Sequence, residues 1–261
     1  MREDLLNKIF GLDFMDEMHD YPNIFSNIRY YHKLKARIIN KFIQKNNGLN
    51  KLFLDSGAGR GSYCVIASPL FKKVYCDEFD KKELNKAQNN IIKRNLRNIE
   101  FINNDLTKLS YQDNYIDVAV CSEVLEHIPN KQKAAEELYR VIKHGGRLLV
   151  SMPQKNSLFY RHVQKVHKDI LGTPEPLDTS SNLWHFMQHV KFSTRDIEKL
   201  MTDAGFKIIN RYGANVLPPG EKIFSVLYKF PPVFRLYISL EFFLEKALSR
   251  FASFYFIELT K

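Results

Sequence analysis

The chain is poor in cysteine, and the three it has, Cys64, Cys76 and Cys121, form no CxxC and no paired spacing. That excludes a disulfide framework and a cysteine zinc site, and it is the cysteine usage of a reducing compartment. Each thiol reads as a small core or site-lining residue. No uninterrupted apolar run is long enough to cross a bilayer. Met1-Arg2-Glu3-Asp4 is acidic where a signal peptide would carry a basic flank and then an apolar stretch. The expectation is a cytoplasmic protein. Internal repeats and low-complexity tracts are also missing, which excludes a solenoid.

What is present suits one enzyme-sized domain with embellishments, at 261 residues. The net charge of +10 is compatible with nucleic acid or anionic lipid as a partner. It is equally compatible with lysines on solvated faces, so charge alone selects no function.

Residues 1–50 read as a helical cap, with Tyr30, Tyr31, Leu34, Ile38 and Phe42 at helical spacing and a stop at Asn46-Asn47-Gly48. The remainder, 51–261, reads as an α/β domain. Strands are predicted over Lys51–Asp55, Val74–Glu78, Ile99–Asn103, Ile116–Ser122 and Arg147–Met152. Helices fall between them, one reaching about Leu96 and one over Gln132–Ile142, closed by His144-Gly145-Gly146. Strands separated by helices imply a parallel sheet covered on both faces. Segment 154–190 is irregular and broken by Gly172, Pro174 and Pro176. Ser193 or Thr194 then caps a helix to Ala204, Phe206–Tyr212 is strand-like, and Phe254–Leu259 is the last strand candidate.

The most informative stretch is Leu52-Phe53-Leu54-Asp55-Ser56-Gly57-Ala58-Gly59-Arg60-Gly61. An apolar strand runs into alternating glycines, which allow a sharp turn and close approach of a ligand to the main chain. A helix starting just after would aim free N–H groups at that ligand. Ser62 stands where a dinucleotide loop needs its third glycine, and the Gly-Lys-Ser/Thr of a phosphate loop is missing. Asp55, two positions before the first glycine, suits a ligand with an ammonium group better than a pyrophosphate. The second strand ends in Asp77-Glu78-Phe79, where a carboxylate can accept bonds from both ribose hydroxyls. Asp105, after the third strand, can accept from an adenine amino group.

These stretches resemble class I S-adenosylmethionine-dependent methyltransferases, over about residues 50–210. LFLDSGAGRGS looks like their first motif, VYCDEFDKKELNKA like the second strand and helix, and NNDLTKL like the adenine loop. DNYIDVAVCSEVLEHIPN resembles the fourth strand and its exit, and AAEELYRVIKHGGRLLVSMP the segment through the fifth. The resemblance implies a Rossmann-like, doubly wound seven-stranded sheet with an antiparallel last strand. It implies that Asp55, Gly57 and Gly59 hold the methionine end of S-adenosylmethionine, with Ser56, Ala58, Gly61 and Ser122 alongside. Glu78 would hold the ribose, with Asp77 as its register alternative. Phe79 would lie against adenine and Asp105 on its amino group, with Leu106 a further cofactor-binding residue.

Glu123-Val124-Leu125-Glu126-His127 follows the fourth strand, at the edge where open α/β sheets place ligands. Glu123, Glu126 and His127 share a face at helical spacing and could bind a divalent cation such as Mg²⁺, with His189 as a further ligand. Without a metal, His127 is a candidate general base beside Glu123. His185 and His189 read equally as packing residues. The E-x-x-E-H pattern is similar to two methyltransferase groups, one acting on hydroxyls of polyprenylated quinone precursors and one on the terminal 2′-hydroxyl of small RNAs. Both imply O-methylation assisted by a metal.

In Val233–Phe251 the charged Arg235, Glu241, Glu245, Lys246 and Arg250 gather on about half the helical wheel, opposite Val233, Leu236, Leu240, Phe243 and Leu244. Such a helix ordinarily packs on its own domain; the other outcome is a membrane interface or a cover over a lipid tail. The acceptor-side cap falls in the termini and in segments 154–190 and 213–252. The expected function is methyl transfer to oxygen of a small or lipid-linked acceptor. An RNA 2′-O-methyltransferase and a non-catalytic adenosylmethionine-binding protein are the alternatives.

Overall fold

Apolar residues that alternate along each strand fill two layers on opposite sides of one sheet, because successive side chains of a strand point to opposite faces. Phe53, Val74, Val118 and Val120 are fully buried on one side, and Leu54, Tyr75, Ala119 and Cys121 on the other. The computed structural model describes residues 4–19, 27–158, 160–161, 192–219 and 221–261. Its strands are β1 (Gly48–Ser56), β2 (Phe71–Asp77), β3 (Ile99–Ile102), β4 (Ile116–Ser122), β5 (Ile142–Pro153), β6 (Lys207–Ala214) and β7 (Phe254–Thr260). They form a seven-stranded sheet in the order β3-β2-β1-β4-β5-β7-β6. The first five are parallel, and β7 lies antiparallel between β5 and β6. The expected doubly wound sheet with an antiparallel final strand is therefore the observed one.

The strand order reverses between β1 and β4, which opens a crevice at their carboxyl ends. Both β1 and β4 lead directly into the loops singled out above. All three cysteines are buried and free, packed as core residues.

One expected break is absent. His144–Gly146 does not separate helix from strand, because β5 already begins at Ile142. Ile142 pairs with Ile116 and Arg147 with Val118, so the surplus residues bulge out of the ladder, with Gly145 at φ 75°.

The amino-terminal helices α1 (Leu5–Phe10), α2 (Phe14–Met18) and α3 (Asn27–Asn46) lie over the sheet. Buried Arg29 ties them together by bonding Asp4, Asn7 and Asp16. Along the sheet follow α4 (Ser62–Ala67), α5 (Lys81–Ile92), α6 (Lys131–Val141) and α7 (Thr194–Asp203), the last with a capping box between Ser193 and Asp196. Helices α8 (Glu221–Lys229) and α9 (Pro231–Ala247) complete the described set. Proline at the first turn of α9 fits there because that N–H has no intrahelical partner. Tyr228 Oη on α8 donates to Asp4 at 2.9 Å, so the cap is built from both ends of the chain. No helix among the described residues is long and apolar enough to cross a membrane.

Helix α9 packs on its own domain through Phe234 and Ile238, with an unexpected side facing in. It turns its acidic residues inward. Glu241 accepts from the main-chain N–H groups of Val216 and Leu217, and Glu245 pairs with Arg37 of α3. Leu236 and Phe243, from the apolar half, are 72% and 77% exposed.

Candidate active site

The β1–α4 turn takes its shape from glycine. Gly57, Gly59 and Gly61 all have φ between 51° and 82°, a region that side chains other than glycine enter at a cost of about 1–2 kcal/mol. At Gly57 space is also limiting, because a Cβ there would stand 2.3 Å from Val124 Cγ2. The turn is anchored from below: the carbonyl of Asp77 accepts from both Gly57 N (2.9 Å) and Ala58 N (2.8 Å). Gly59 N donates to Glu78 Oε2 at 2.9 Å, while Asp80 N donates to Glu78 Oε1 at 3.0 Å.

Above this turn lies a cavity of about 770 Å³. Its floor and one end contain Ser56, Gly57, Ala58, Gly59, Glu78, Phe79, Asp105, Leu106 and Ser122, nine of the residues expected to touch the cofactor. Phe79 is 72% exposed, an unusual position for a ring unless something flat stacks on it. Asp105 is exposed, and its carboxylate accepts from Thr107 N and Oγ1. Those bonds hold it below the usual carboxylate range, so it stays an acceptor. Asp77 and Glu78 both line the cavity. Asp77 is buried and accepts from Tyr111 and Asn104, while Glu78 accepts from Gly59 N of the turn.

Two expected contacts are displaced. Asp55 shares the sheet face of Phe53, so its carboxyl is buried under α4, where the Cys64 thiol donates to it at 3.4 Å. It is not a wall of the cavity, and burial pushes it up to about 7. Gly61 caps α4 and is not a wall either. A Cβ there would meet Ile91 Cδ1 at 2.8 Å, so this glycine lets α5 approach the turn.

The Glu-x-x-Glu-His segment folds as a short turn of 3₁₀ helix over Leu125–His127. Glu123 and His127 line the cavity; Glu126 does not. Glu123 has φ 58°, and the other non-glycine described residues with positive φ are asparagines. A glutamate in that region carries a backbone cost of about 1–2 kcal/mol. Its carboxylate is ion-paired at 2.5 Å with Lys35, which reaches across from α3. Glu126 is only 5% exposed, and its Oε2 has no hydrogen-bond partner. Burial first, and the Glu123 charge second, push it up to about 8.

Two of the expected cation ligands are placed otherwise. Glu123 is ion-paired with Lys35, and Glu126 does not line the cavity. Among the described residues no three His, Cys, Asp or Glu side chains come together as a metal group. His185 and His189 lie outside the described residues.

The cap contributes residues that the sequence reading did not single out. Met15, His19, His32 and Lys35 form the cavity's far wall. The imidazoles of His19 and His32 pack edge to face at 5.3 Å, and His19 Nε2 lies 3.0 Å from Ser62 Oγ. Burial, assisted by the charges of Lys35, His19 and Arg60, holds His32 well below its ordinary pKa, as a neutral ring. The available signal was weak: histidines and a lysine on an amphipathic segment whose docking partner is remote in sequence.

Residues 54–150 match a family model described as a methyltransferase domain. Among curated relatives, a ubiquinone/menaquinone biosynthesis C-methyltransferase of Rickettsia typhi is 30% identical over 157 residues, 56% of this chain and 59% of the relative. An arsenite methyltransferase of Halobacterium salinarum is 25% identical over 150 residues, covering 55% of this chain and 38% of the relative. The chain thus spans less than two thirds of the length of the curated relatives it matches first. Two solved structures share the fold. A SAM-dependent methyltransferase from Aquifex aeolicus has a TM-score of 0.53 at 17% identity, covering 87% of this chain and 96% of that one. The cyclase SpnF has a TM-score of 0.61 at 15% identity, covering 98% and 93%.

Proposed function

We propose that this protein methylates an oxygen of a small or lipid-linked acceptor seated between the glycine turn and the helical cap. The observation that carries the reading is one cavity with two chemically distinct ends. Glu78, Phe79, Asp105 and Leu106 suit a nucleoside, while His19, His32, Lys35, Glu123 and His127 surround the remaining space.

S-adenosylmethionine supplies an already activated methyl group, so the protein has mainly to position, dehydrate and deprotonate the acceptor. Glu78 would hold the ribose hydroxyls, with Phe79 against the base and Asp105 as acceptor for its amino group. Lys35 and the strained backbone fix the Glu123 carboxylate at the cavity edge. His127 takes the proton of the acceptor hydroxyl, since an imidazole titrates near neutral pH. When bound, S-adenosylmethionine would supply the methyl group to the acceptor oxygen as its sulfonium C–S bond breaks, with S-adenosylhomocysteine as the leaving group. No metal enters this scheme, because Lys35 occupies the role a cation would have beside Glu123.

A second reading is transfer to carbon. It is favoured by curated relatives named as C-methyltransferases of ubiquinone and menaquinone biosynthesis. A ring hydroxyl deprotonated by the same histidine would push electron density onto the neighbouring carbon. The RNA reading draws on the net charge of +10 and the Glu-x-x-Glu-His match, and the Lys35–Glu123 ion pair counts against the metal that this match implies. Because one protein of this fold is named a cyclase, turnover has to be tested directly. Purified protein, labelled S-adenosylmethionine and fractionated extracts should yield label in the lipid or small-molecule fraction, as an O-methyl group. Label on carbon would select the second reading, and label in RNA the third. Binding of the cofactor with no labelled product in any fraction would reject methyl transfer.

A further inference from the structure

Helix α9 packs with its chemistry reversed, and α8 continues the pattern. Val233, Leu236, Leu240 and Phe243 recur at three- and four-residue spacing, so they form one stripe along α9, and all four are exposed. On α8, Ile223 and Val226, with Phe230 just beyond its end, form a second exposed stripe. An outward apolar stripe on both arms of a helical hairpin is unusual for a surface in contact only with water.

The inward side explains why the reversal is stable. Phe234 and Ile238 anchor α9 in the core, while the carboxylates of Glu241 and Glu245 are consumed by two main-chain N–H groups and by Arg37. The acidic charge of α9 is thereby removed from the surface. Lys222, Lys229, Arg235, Lys246 and Arg250 stay exposed. Among residues 222–250 every exposed charge is therefore basic.

We infer that the α8–α9 hairpin docks on an anionic lipid surface, with its two apolar stripes in the acyl boundary and its basic side chains at the headgroups. Apolar insertion combined with electrostatic attraction is the composition of an interfacial helix, and charge complementarity selects a membrane over a neutral apolar partner. The inference is independent of which atom the enzyme methylates. Arg37 and Lys35 belong to the same helix α3, so the docking hairpin is tied to the element that reaches Glu123 in the cavity.

The test is sedimentation of the full chain with vesicles of phosphatidylglycerol and phosphatidylcholine, against phosphatidylcholine alone. Binding is expected only to the anionic vesicles, and should fall as salt rises. Leu236→Glu with Phe243→Glu should weaken it at least tenfold, and Lys229→Gln with Arg235→Gln by about fivefold for each cation removed. Unchanged calorimetric affinity of these variants for S-adenosylhomocysteine certifies their fold and keeps this result separate from the cofactor assignment. Failure to sediment with anionic vesicles, or equal binding to neutral ones, would overturn the proposal. So would a concentration-dependent dimer in analytical ultracentrifugation that the Leu236/Phe243 variant abolishes, since the face would then belong to a second copy of the chain.

Discussion

Replacing Gly57 by alanine isolates how the turn is built, because Gly59 supplies a matched control two residues away. Both glycines have positive φ, 74° and 51°, so a Cβ at either carries a backbone penalty of about 1–2 kcal/mol. At Gly59 nothing lies within 4 Å of the added atom, and the penalty ends there. At Gly57 the new Cβ would sit 2.3 Å from Val124 Cγ2 and 3.0 Å from Cγ1. Overpacking of that kind costs about 1–3 kcal/mol more, and it pushes on the segment that carries Glu123. Gly57→Ala should thus lose roughly 2–5 kcal/mol of folding or binding free energy against about 1–2 for Gly59→Ala. Adding Val124→Ala removes both Cγ atoms and should recover most of the difference. The measurements are urea unfolding and calorimetry with S-adenosylhomocysteine on the two single variants, Val124→Ala and the double variant. Equal effects at the two glycines, or no coupling between positions 57 and 124, would refute the steric account.

Phe79→Ala should leave unfolding within about 0.5 kcal/mol of wild type, since the ring is exposed, yet weaken S-adenosylhomocysteine about fivefold or more if it stacks on adenine. Glu126 gives a pH signature with a fixed sign. Its folded pKa of about 8 lies above the ordinary 4.5, so its contribution is fully present below pH 4.5 and lost as pH rises through 8. Glu126→Gln should therefore gain on wild type by on the order of a few kcal/mol between pH 5.5 and pH 9 in urea unfolding; parallel pH curves would contradict this. Treatment with EDTA should leave turnover unchanged, whereas Lys35→Met, which removes the cation paired with the Glu123 carboxylate, should lower it; Mg²⁺-dependent recovery after chelation would restore a metal to the site.

The order of strands and the glycine turn were legible because they rest on local pattern. Alternating apolar residues in β1, β2 and β4 specify buried strands, and the positive φ of Gly57 and Gly59 is a requirement that glycine alone meets cheaply. What stayed hidden depends on distant partners. Asp55 was expected at the ligand, yet strand alternation places it on the side of Phe53, and only the position of α4 shows that this side is closed. The bulge at His144–Gly146 depends on register against β4. The two halves of α9 were visible on a helical wheel, but the wheel does not say which half faces the protein. That was decided by Val216 and Leu217 N–H groups and by Arg37, none of them local to Glu241 or Glu245. For the same reason Lys35 could not be paired with Glu123, 88 residues away, from sequence.

The doubly accepting carbonyl of Asp77 divides the turn into a fixed part and an exchangeable part. Gly57 and Ala58 amides are held by the sheet itself and should exchange slowly with deuterium whether or not nucleoside is added. The Gly59 amide is held by Glu78, the same carboxylate that a ribose would claim. Its protection should respond to nucleoside while its two neighbours stay constant. A single amide would then report occupancy of the pocket, against an internal reference one residue away.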